Sequence, residues 1–465
     1  MKNRYFDLID QTFYFPSFDF NLDEDKLTFN DIPLMEVIEK FGTPLKITYL
    51  PKIGEQIQKS RKLFANAMKK AKYNGDYHYC YCTKSSQFSF VIHEVLKNKG
   101  QLETSSSFDM DLLWHLYEEE RINKKTYIVC NGFKQDDYIK KICDFINEGF
   151  ENIIPIMDSM DELERYDKFV KKPFQIGIRI ASEEEPNFEF YTSRLGVRYR
   201  DIVPYYERKI AGNSRYNLKM LHFFINTGIK DDTYYWSELN KCIQVYCDLK
   251  KLCPELDSFD IGGGFPVPNS LSFNYDYEYM TNEIISTIKN LCNSNGIDEP
   301  NIFTEFGSFT VAESGAAIYS IISEKQQNDA EKWFMIDSSF ITTLPDTWGI
   351  GQRFILLAIN HWNKEYQRVN LGGLTCDSQD YYNSEVDINQ VFLPKISGKE
   401  KLYIGFFHTG AYQESLGGYG GIQHCLIPAP KHVLIDLNKK GEFTYKVFAD
   451  KQSPKEMMSI LGFKK

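Results

Sequence analysis

The chain has 465 residues, a formal net charge of −10 at pH 7 and 15% aromatic residues. A chain of this length is too long for one ordinary hydrophobic core, so two domains or a barrel with an appended domain are expected. The acidic charge without a basic stripe excludes a nucleic-acid-binding protein, and short apolar runs exclude a membrane protein. Residues 1–16 lack the apolar core of a signal peptide, so we expect a cytoplasmic protein.

The ten cysteines are scattered, and Cys80 and Cys82 form only a C-x-C pair without a second pair nearby. A zinc site needs further thiolate or imidazole ligands at short spacing, so no metal centre is expected. Free and mostly buried thiols in a reducing cytoplasm fit this distribution.

Eight short apolar runs, each followed by a helix-like stretch, lie in the first two thirds of the chain. Such alternation predicts parallel βαβ units, and eight units predict a (β/α)8 barrel whose functional groups follow the strands. We place this barrel at residues 45–316. The runs are 78–83, 100–103, 127–130, 152–156, 174–181, 219–225, 257–261 and 300–304.

The pattern changes after about residue 316, where strand-like runs are joined by turns and few helices intervene. This pattern predicts a mostly antiparallel β domain, which we place at residues 317–465. The N-terminal segment, residues 1–44, is expected to pack with this β domain.

Lys84 is the most informative residue of the chain. It follows the run 78–83, in which Tyr, Cys and Thr suit a pleated, half-buried strand. A lysine at a buried strand end sheds its charge or pairs it, and the neutral amine is a nucleophile that can form a Schiff base. The alternative is a lysine whose amine reaches solvent.

Glu305 follows the eighth run and would face the mouth of the barrel. A carboxylate beside a pyridine nitrogen keeps that nitrogen protonated and makes the ring an electron sink. The alternative is an acid at the N-terminus of a helix. Other polar residues that follow the runs are Lys84, Glu103, Asn131, Asp158, Arg179 and Asn226.

Three glycines, Gly262, Gly263 and Gly264, come directly after the seventh run. Glycine leaves backbone N–H groups unobstructed, so these amides can cradle a phosphate. A tight turn that needs positive φ is the alternative explanation. The place after the seventh of eight strands favours phosphate, because barrels commonly bind phosphate there.

Two segments of the C-terminal half carry further candidate residues. The loop 375–380 holds a thiol, Cys376, between small polar residues and two acids, which suits an exposed functional loop. An Asp/Ser turn with a bystander cysteine explains the same residues. Tyr412 follows another strand-like run, where its hydroxyl either contacts an anion or packs inside the domain.

Together these residues resemble the fold-type III pyridoxal-phosphate decarboxylases, the alanine-racemase-like barrel family, and especially its compact biosynthetic arginine decarboxylases. The resemblance covers nearly the whole chain and depends on the order and spacing of five motifs. The motifs are Cys82-Thr83-Lys84, the segment 260–266, Glu305-x-Gly307, the segment 374–378 and the segment 405–417.

The resemblance implies that Lys84 holds pyridoxal phosphate covalently and that Glu305 contacts the pyridine nitrogen. Glu103 and Arg179 would belong to the polar network around the cofactor ring. The remaining residues expected to bind the cofactor are Phe224, Thr227, Gly262, Gly263, Gly264, Gly307, Ser308 and Tyr412.

The resemblance also implies a homodimer with shared active sites, because the C-terminal-domain loop of this family enters the partner's site. A higher oligomer is left open. Cys376 would protonate the substrate carbon after CO2 leaves, and Asp377 would receive the distal group of the substrate, with Gln379 and Asp380 beside it.

Two positions depart from the family pattern. Phe224 aligns with a histidine that usually stacks on the cofactor, and a phenyl ring can stack but forms no such hydrogen bond. Ser308 stands where an arginine is usual, so phosphate binding loses a charge and depends on backbone amides and hydroxyls. Both changes affect the expected cofactor affinity more than the reaction type.

The expected reaction is the decarboxylation of L-arginine to agmatine and CO2, in polyamine biosynthesis. Asp377 and Asp380 suit a guanidinium, whereas Asp377 with Gln379 suits the neutral ureido group of citrulline, which would give N-carbamoylputrescine. Ornithine, lysine and diaminopimelate are further candidate substrates. A hypothesis of another class is a non-catalytic relative that regulates a partner decarboxylase; retention of the lysine, the carboxylate and the thiol argues against it.

Overall fold

The structure is a computed structural model that describes residues 19–182, 193–329, 331–382 and 391–463. Its residues fall into two units. The sheet unit comprises Met1–Lys52, Val267–Asn274 and Val311–Lys465, as far as these are described, and the barrel unit comprises Ile53–Pro266 and Tyr275–Thr310.

The described part of the chain begins with a small antiparallel sheet in which the second strand pairs with the first and the third. Leu27 and Phe29 alternate with more exposed residues and are fully buried, which fixes the inner face of this sheet. The first elements are β1 (Phe20–Asp23), β2 (Lys26–Phe29), β3 (Ile32–Pro33), α1 (Leu34–Phe41), β4 (Leu45–Tyr49) and α2 (Leu50–Ala71).

Eight parallel strands then form a closed barrel in chain order, and the last strand pairs with the first. This confirms the predicted barrel. The strands are β5 (Tyr77–Cys82), β6 (Gln101–Thr104), β7 (Ile128–Cys130), β8 (Ile153–Met157), β9 (Phe174–Arg179), β10 (Tyr216–His222), β11 (Ser258–Asp260) and β12 (Asn301–Phe306).

The barrel interior is a packed core of side chains such as Val129, Ile154, Met220 and Phe303. Helices lie between the strands. They are α3 (Ser89–Lys97), α4 (Ser107–Glu118), α5 (Asp136–Glu148), α6 (Leu163–Tyr166), α7 (Tyr199–Tyr205), α8 (Thr233–Leu252) and α9 (Tyr277–Asn295).

The sequence of residues 109–120 is helix-like, but helix α4 begins two residues earlier, at Ser107. Ser106 and Asp109 form a capping box: the Ser106 hydroxyl accepts the Asp109 N–H at 3.2 Å, and the Asp109 carboxylate accepts the Ser106 N–H at 3.0 Å. Asp109 is therefore the third residue of the helix rather than its first, because its side chain satisfies a free amide at the helix start.

The short helix α10 (Ser308–Val311) ends the barrel unit, and the sheet unit then resumes with short helices. Its elements are β13 (Gly315–Gln326), β14 (Lys332–Ile336), α11 (Phe340–Thr343), α12 (Pro345–Gly349), β15 (Ile355–Ala358), β16 (Tyr366–Arg368), β17 (Asn370–Gly372), β18 (Tyr381–Tyr382), β19 (Phe392–Pro394), β20 (Tyr403–Phe407), α13 (Gln413–Leu416), β21 (Lys431–Leu437), β22 (Phe443–Ala449) and α14 (Pro454–Ile460).

A nine-stranded, mostly antiparallel sheet organises this unit, as predicted, in the order β18-β17-β14-β13-β4-β21-β22 with β20 and β15 branching from β13. Both faces of β13 are buried. Ala316 and Ile318 belong to one apolar cluster, whereas Ala317 and Tyr319 belong to another. The alternation places one core on each side of the sheet.

The strand β4 shows that the predicted start of the barrel, residue 45, is wrong. β4 pairs with β13 and with β21 in the nine-stranded sheet, so the barrel unit starts at Ile53. The apolar run at β4 resembles a barrel strand in sequence, and only its long-range pairing assigns it to the other sheet.

The described part of the N-terminal segment packs within the sheet unit, where Phe20 and Leu27 share a cluster with Ile318. Residues 1–18, and with them the signal-peptide prediction for 1–16, lie outside the described residues. Within the described ranges, no helix has both the length and the apolar character needed to cross a membrane.

Candidate active site

Ionisable side chains converge at the carboxyl ends of the barrel strands. Glu103 lies on β6, Arg179 ends β9, His222 ends β10, Asp260 ends β11 and Glu305 is near the end of β12. Parallel strands in a closed barrel bring these ends to one rim, which is where such barrels carry their chemistry.

Glu305 is the centre of this set. Its carboxylate accepts a hydrogen bond from the Asn131 side chain at 2.7 Å and contacts the His222 imidazole Nε2 at 3.0 Å. Burial raises the pKa of Glu305, but attraction to His222 and the hydrogen bonds of its neighbours outweigh this effect and lower the pKa to about 2. Glu305 is therefore a carboxylate at neutral pH.

Glu103 shares the Asn131 amide with Glu305, at 3.1 Å. Burial raises the pKa of Glu103 to about 7; the Lys84 ammonium opposes this shift and the Glu305 charge adds to it. Two carboxyl groups bridged by one amide thus have well-separated pKa values, and Glu103 exchanges its proton near neutral pH. Different environments of paired carboxyls commonly assign them different roles.

Lys84 lies in a short 3-10 turn, Thr83–Ser85, directly after β5. The Thr83 hydroxyl donates to the Glu103 carbonyl at 3.0 Å and ties this turn to β6. Thr83 and Ser85 are buried, but Lys84 itself is exposed. The structure therefore corresponds to the alternative of an exposed lysine: Lys84 lies on a turn after the strand, so burial does not force its amine to shed or pair its charge.

A second lysine, Lys134, follows β7 at the same rim, but its amine is bound by other protein groups. It is completely buried, lies 3.0 Å from Glu162 and donates to the Ile156 carbonyl at 2.6 Å. A buried amine with these partners has no route to a cofactor, so the structure separates a structural lysine from an accessible one.

The three glycines after β11 are required by close backbone contacts. A Cβ on Gly263 would lie 2.3 Å from the Glu305 carbonyl oxygen, and one on Gly262 would lie 2.7 Å from the Phe223 carbonyl oxygen. Gly262 and Gly264 also have positive φ. The Gly262 carbonyl accepts the Glu305 N–H at 2.9 Å, so the tight-turn explanation is correct whether or not a phosphate binds there.

The same turn offers groups suited to an anion. Within the described residues, the Gly263 and Gly264 amides donate to no protein acceptor. The Gly264 carbonyl accepts the Ile229 N–H at 2.9 Å, which joins this turn to the loop that carries Thr227. The Thr227 hydroxyl is buried and has no hydrogen-bond partner among the described residues.

Phe224 packs near the glycine turn and faces a charged neighbour. The Arg179 guanidinium carbon lies 5.6 Å from the centre of the Phe224 ring, a cation–π distance. Ser308 starts the four-residue helix α10 and is half-buried. Gly307, just before it, leaves room for Ser85, whose hydroxyl would be 1.9 Å from an added Cβ.

In the sheet unit, the loop that follows β17 carries the predicted thiol. Cys376 is exposed, as expected, and Asp377 is partly exposed with its carboxylate accepting the Gln379 N–H at 2.8 Å. Asp380 is buried instead, and its oxygens accept the Phe340 N–H at 2.8 Å and the Thr375 hydroxyl at 2.7 Å. These bonds hold the loop and α11, and burial makes Asp380 less accessible than Asp377 among the predicted substrate-binding residues.

A second segment meets this loop. The Cys425 sulfur lies 3.5 Å from the Cys376 sulfur, and the His424 imidazole lies 3.7 Å from the Asp377 carboxylate. The hydrogen bond with Cys425 and the charge of that sulfur raise the pKa of the Cys376 thiol. Tyr412 precedes α13 in the same unit with a positive φ of 67°.

Sequence reasoning missed His222, Asp260 and Cys425. His222 lies two positions before Phe224, so alternation on a strand predicts that both face the same side. Asp260 directly precedes the glycines, and its carboxylate accepts the Gly262 N–H at 2.7 Å. No sequence pattern indicates Cys425, because it contacts Cys376 from a position 49 residues away in the chain.

Buried polar atoms without partners test whether this rim suits a polar cofactor. Unpaired buried polar groups are rare and costly unless a ligand or water completes them. Seven such side chains, each with an atom unpaired among the described residues, cluster at or just beyond the strand ends. They are Ser85, Glu103, Asn131, Asp158, His222, Thr227 and Asp260.

Residues 54–312 match the family of pyridoxal-dependent decarboxylases, through their pyridoxal binding domain. The match covers more than half of the chain. The chain belongs to this family. Its cofactor is pyridoxal phosphate, and the orphaned polar atoms, the carboxylate Glu305 and the accessible amine of Lys84 fit that cofactor.

Relatives extend over almost the whole length of this decarboxylase. The biosynthetic arginine decarboxylase of Prochlorococcus marinus is 22% identical over 93% of this chain and 85% of its own length. The biosynthetic arginine decarboxylase 2 of Synechocystis is 22% identical over 83% of this chain and 78% of its own length.

Solved structures share the fold of this decarboxylase. The biosynthetic arginine decarboxylase of Campylobacter jejuni has a TM-score of 0.81 and 20% identity, covering 96% of this chain and 89% of its own. Diaminopimelate decarboxylase of M. jannaschii has a TM-score of 0.76 and 18% identity, covering 95% of this chain and 97% of its own.

The raised pKa of Glu103 predicts a pH-dependent stability. A carboxyl whose pKa is higher in the folded chain stabilises the fold below its unfolded value of 4.5 and loses that contribution as pH rises through about 7. Between about pH 5 and 7.5, Glu103 should reduce the free energy of unfolding by roughly 2 kcal/mol. Glu103→Gln should remove this slope, as measured by urea denaturation of cofactor-free protein.

The exposed variant Glu39→Gln is the matched control for loss of a carboxyl and should keep the wild-type slope. Equal slopes in wild type and Glu103→Gln would contradict the raised pKa.

Proposed function

We propose that this pyridoxal-phosphate-dependent decarboxylase converts L-arginine to agmatine and CO2, as a step of polyamine biosynthesis. The observation that carries the substrate assignment is the extent of the likeness to proteins named biosynthetic arginine decarboxylase, which reaches 93% of the chain. The partly exposed carboxylate of Asp377 beside an exposed thiol supports it, because a guanidinium needs an anionic partner.

Lys84 and Glu305 would hold the two ends of the cofactor ring system. Bound pyridoxal phosphate supplies an electron sink for the electrons of the breaking bond to the α-carboxylate. Lys84, as the accessible lysine of the rim, would carry the cofactor through its amine. Glu305, ionised by its contacts with His222 and Asn131, would keep a proton on the pyridine nitrogen.

The phosphate would bind where the chain presents unused donors. The amides of Gly263 and Gly264 and the hydroxyl of Thr227 supply such donors at adjoining loops. Ser308 would add a hydroxyl. This set compensates the missing arginine with neutral donors, and neutral hydrogen bonds to an anion are weaker than those from a guanidinium.

Cys376 would donate the proton to the substrate carbon after CO2 leaves. Its contact with Cys425 raises its pKa, so the sulfur carries a proton at neutral pH. A thiol that stays protonated until the reaction needs it suits a general acid. Asp377 would bind the distal group of the substrate.

The protein would act as a homodimer with shared active sites. Apolar side chains are exposed on the segments around the thiols, including Ile350 at 74%, Leu416 at 62% and Trp348 at 56% exposure. Exposed apolar groups concentrated in one region mark an interaction surface. A second copy would cover them and receive Cys376. We place the protein in the cytoplasm, where free thiols persist.

Citrulline is the second candidate substrate. Gln379 lies beside Asp377 and is exposed, and an amide with a carboxylate can pair with a neutral ureido group. The family of the chain and its accessible lysine leave little support for a non-catalytic regulator.

The first test concerns Lys84. Borohydride reduces a carbon–nitrogen double bond, so it should fix the cofactor to the tryptic peptide 73–97, with cleavage blocked at Lys84. Lys84→Ala should lose this label and the absorbance of the bound cofactor, whereas Lys134 should carry none because its amine is buried and paired. A label on any other lysine, detected by mass spectrometry, would refute the assignment.

The second test separates arginine from citrulline. Asp377→Asn removes a charge-assisted hydrogen bond to a guanidinium, which costs about 2–5 kcal/mol. The kcat/KM for arginine should fall on the order of 30- to several-thousand-fold, and the value for citrulline should fall much less. CO2 release from both substrates gives the comparison.

Gln379→Ala is the control for the ureido alternative. It should leave arginine turnover nearly unchanged if arginine is the substrate. A wild-type preference for citrulline, or unimpaired arginine turnover in Asp377→Asn, would overturn the arginine assignment in favour of citrulline.

The third test concerns the shared site. Mixed Lys84→Ala and Cys376→Ala chains should regain up to about a quarter of the activity, because one site of a hybrid dimer receives both intact residues. Each variant alone should be impaired. Absence of rescue, with subunit exchange demonstrated by tagged chains, would contradict a site built from two subunits.

A further inference from the structure

Two of the ten cysteines differ from all the others. Eight are buried, whereas Cys376 and Cys425 are exposed. These two exposed thiols also lie against each other, with 3.5 Å between their sulfurs. Exposed thiols react with oxidants and buried ones do so slowly, so this contact singles out one reactive pair.

The backbone around both sulfurs is irregular. Cys376 lies in the loop between β17 and β18, and Cys425 lies in a turn, His424–Leu426, with a positive φ of 53°. A disulfide needs the sulfurs to approach to about 2.05 Å, which is a movement of about 1.5 Å shared by two loops. Both cysteines lie outside the strands of the sheet.

A second contact keeps the two segments in register. The His424 imidazole lies 3.7 Å from the Asp377 carboxylate, so the neighbours of the thiols also face each other. This pairing of adjacent residues holds the sulfurs at a distance from which a bond can form. The fold therefore presents the two thiols together before any oxidation.

We infer that Cys376 and Cys425 are a redox modification site, which closes to a disulfide under a peroxide and reopens with a dithiol. The expected effect on activity rests on the proposed function, because the disulfide would withdraw the proton donor Cys376. Whichever of the two thiols takes the oxygen, the other would close the disulfide and so protect it from irreversible oxidation.

The chemistry balances with hydrogen peroxide as oxidant. One thiol takes an oxygen atom and becomes a sulfenic acid, while the peroxide leaves as water. The sulfur of the second cysteine attacks that sulfenic sulfur and forms the S–S bond, and its proton leaves with the hydroxyl as a second water. A dithiol reverses the step by thiol–disulfide exchange and becomes a cyclic disulfide.

The chain offers an internal control for unspecific oxidation. Cys247 and Cys292 are also hydrogen-bonded neighbours, but both are fully buried. If proximity alone governed oxidation, both pairs would cross-link at the same dose. If accessibility is also required, only the exposed pair should do so.

The experiment treats the holoenzyme with stoichiometric hydrogen peroxide, alkylates free thiols, digests with trypsin and analyses the peptides by mass spectrometry. The tryptic peptides 369–395 and 402–431 contain one cysteine each. They should appear joined, lighter by two hydrogen atoms than their sum, while Cys247 and Cys292 stay alkylated. Decarboxylation should fall by about 10²-fold or more, as for loss of a general acid, and dithiothreitol should restore it.

Cys425→Ser is the decisive variant. It cannot form the cross-link, so the same peroxide should carry Cys376 to the sulfinic acid, which dithiothreitol does not reduce. Activity should then be lost without recovery. A missing cross-link in wild type, or full recovery of Cys425→Ser, would overturn the modification site.

Different results would refute the modification site and the proposed role of Cys376 as proton donor. A reversible cross-link between 376 and 425 that leaves turnover unchanged would uphold the modification site and refute the role of Cys376 as proton donor. Loss of turnover in Cys376→Ala without any cross-link in wild type would refute the modification site and leave the proposed function standing.

Discussion

A carboxylate buried as deeply as that of Glu305 costs several kcal/mol unless neighbouring groups compensate its charge. His222 at 3.0 Å and Asn131 at 2.7 Å supply that compensation, and each comes from a different part of the barrel. The compensation therefore exists only when the barrel is closed. The backbone of the same residue depends on the glycine turn, because the Glu305 N–H donates to the Gly262 carbonyl. The ionised Glu305 carboxylate, the closed barrel and the three glycines therefore depend on one another.

That constraint also sets the electrostatics of the rim. Asn131 donates to Glu305 and to Glu103, yet the first has a pKa of about 2 and the second a pKa of about 7. The difference arises because the imidazole stabilises only one of the two carboxylates. With Glu305 already ionised, a second buried negative charge on Glu103 is disfavoured, so Glu103 holds a proton that it can release near neutral pH. The lysine beside Glu103 is exposed and moderates this effect.

The sequence was sufficient for the parts that depend on local pattern. Alternating apolar runs predicted the eight strands, and position after a strand predicted Glu305, the glycines and Lys84. The sequence could not show that the run at β4 pairs with strands of the sheet unit, or that Lys84 lies on an exposed turn. It also could not show that the Asp380 carboxylate accepts hydrogen bonds from the backbone of α11. These facts depend on contacts between distant segments. No local pattern encodes which of two nearby acids a loop will bury.

The candidate functional side chains lie partly on rigid strands and partly on irregular loops. The rim carboxylates lie on strands of a closed barrel, where packed neighbours and short hydrogen bonds hold each group against one partner. Cys376 and Cys425 lie in irregular segments outside the strands instead, with 3.5 Å between their sulfurs. The proposed pyridine partner, Glu305, would have to stay ionised and fixed at all times, which suits a strand. A thiol that gave up and regained a proton in every turnover, as proposed for Cys376, would have to be accessible, and accessibility would also expose it to oxidants. A neighbouring thiol limits the damage, because a disulfide can be reduced whereas a sulfinic acid of this kind cannot.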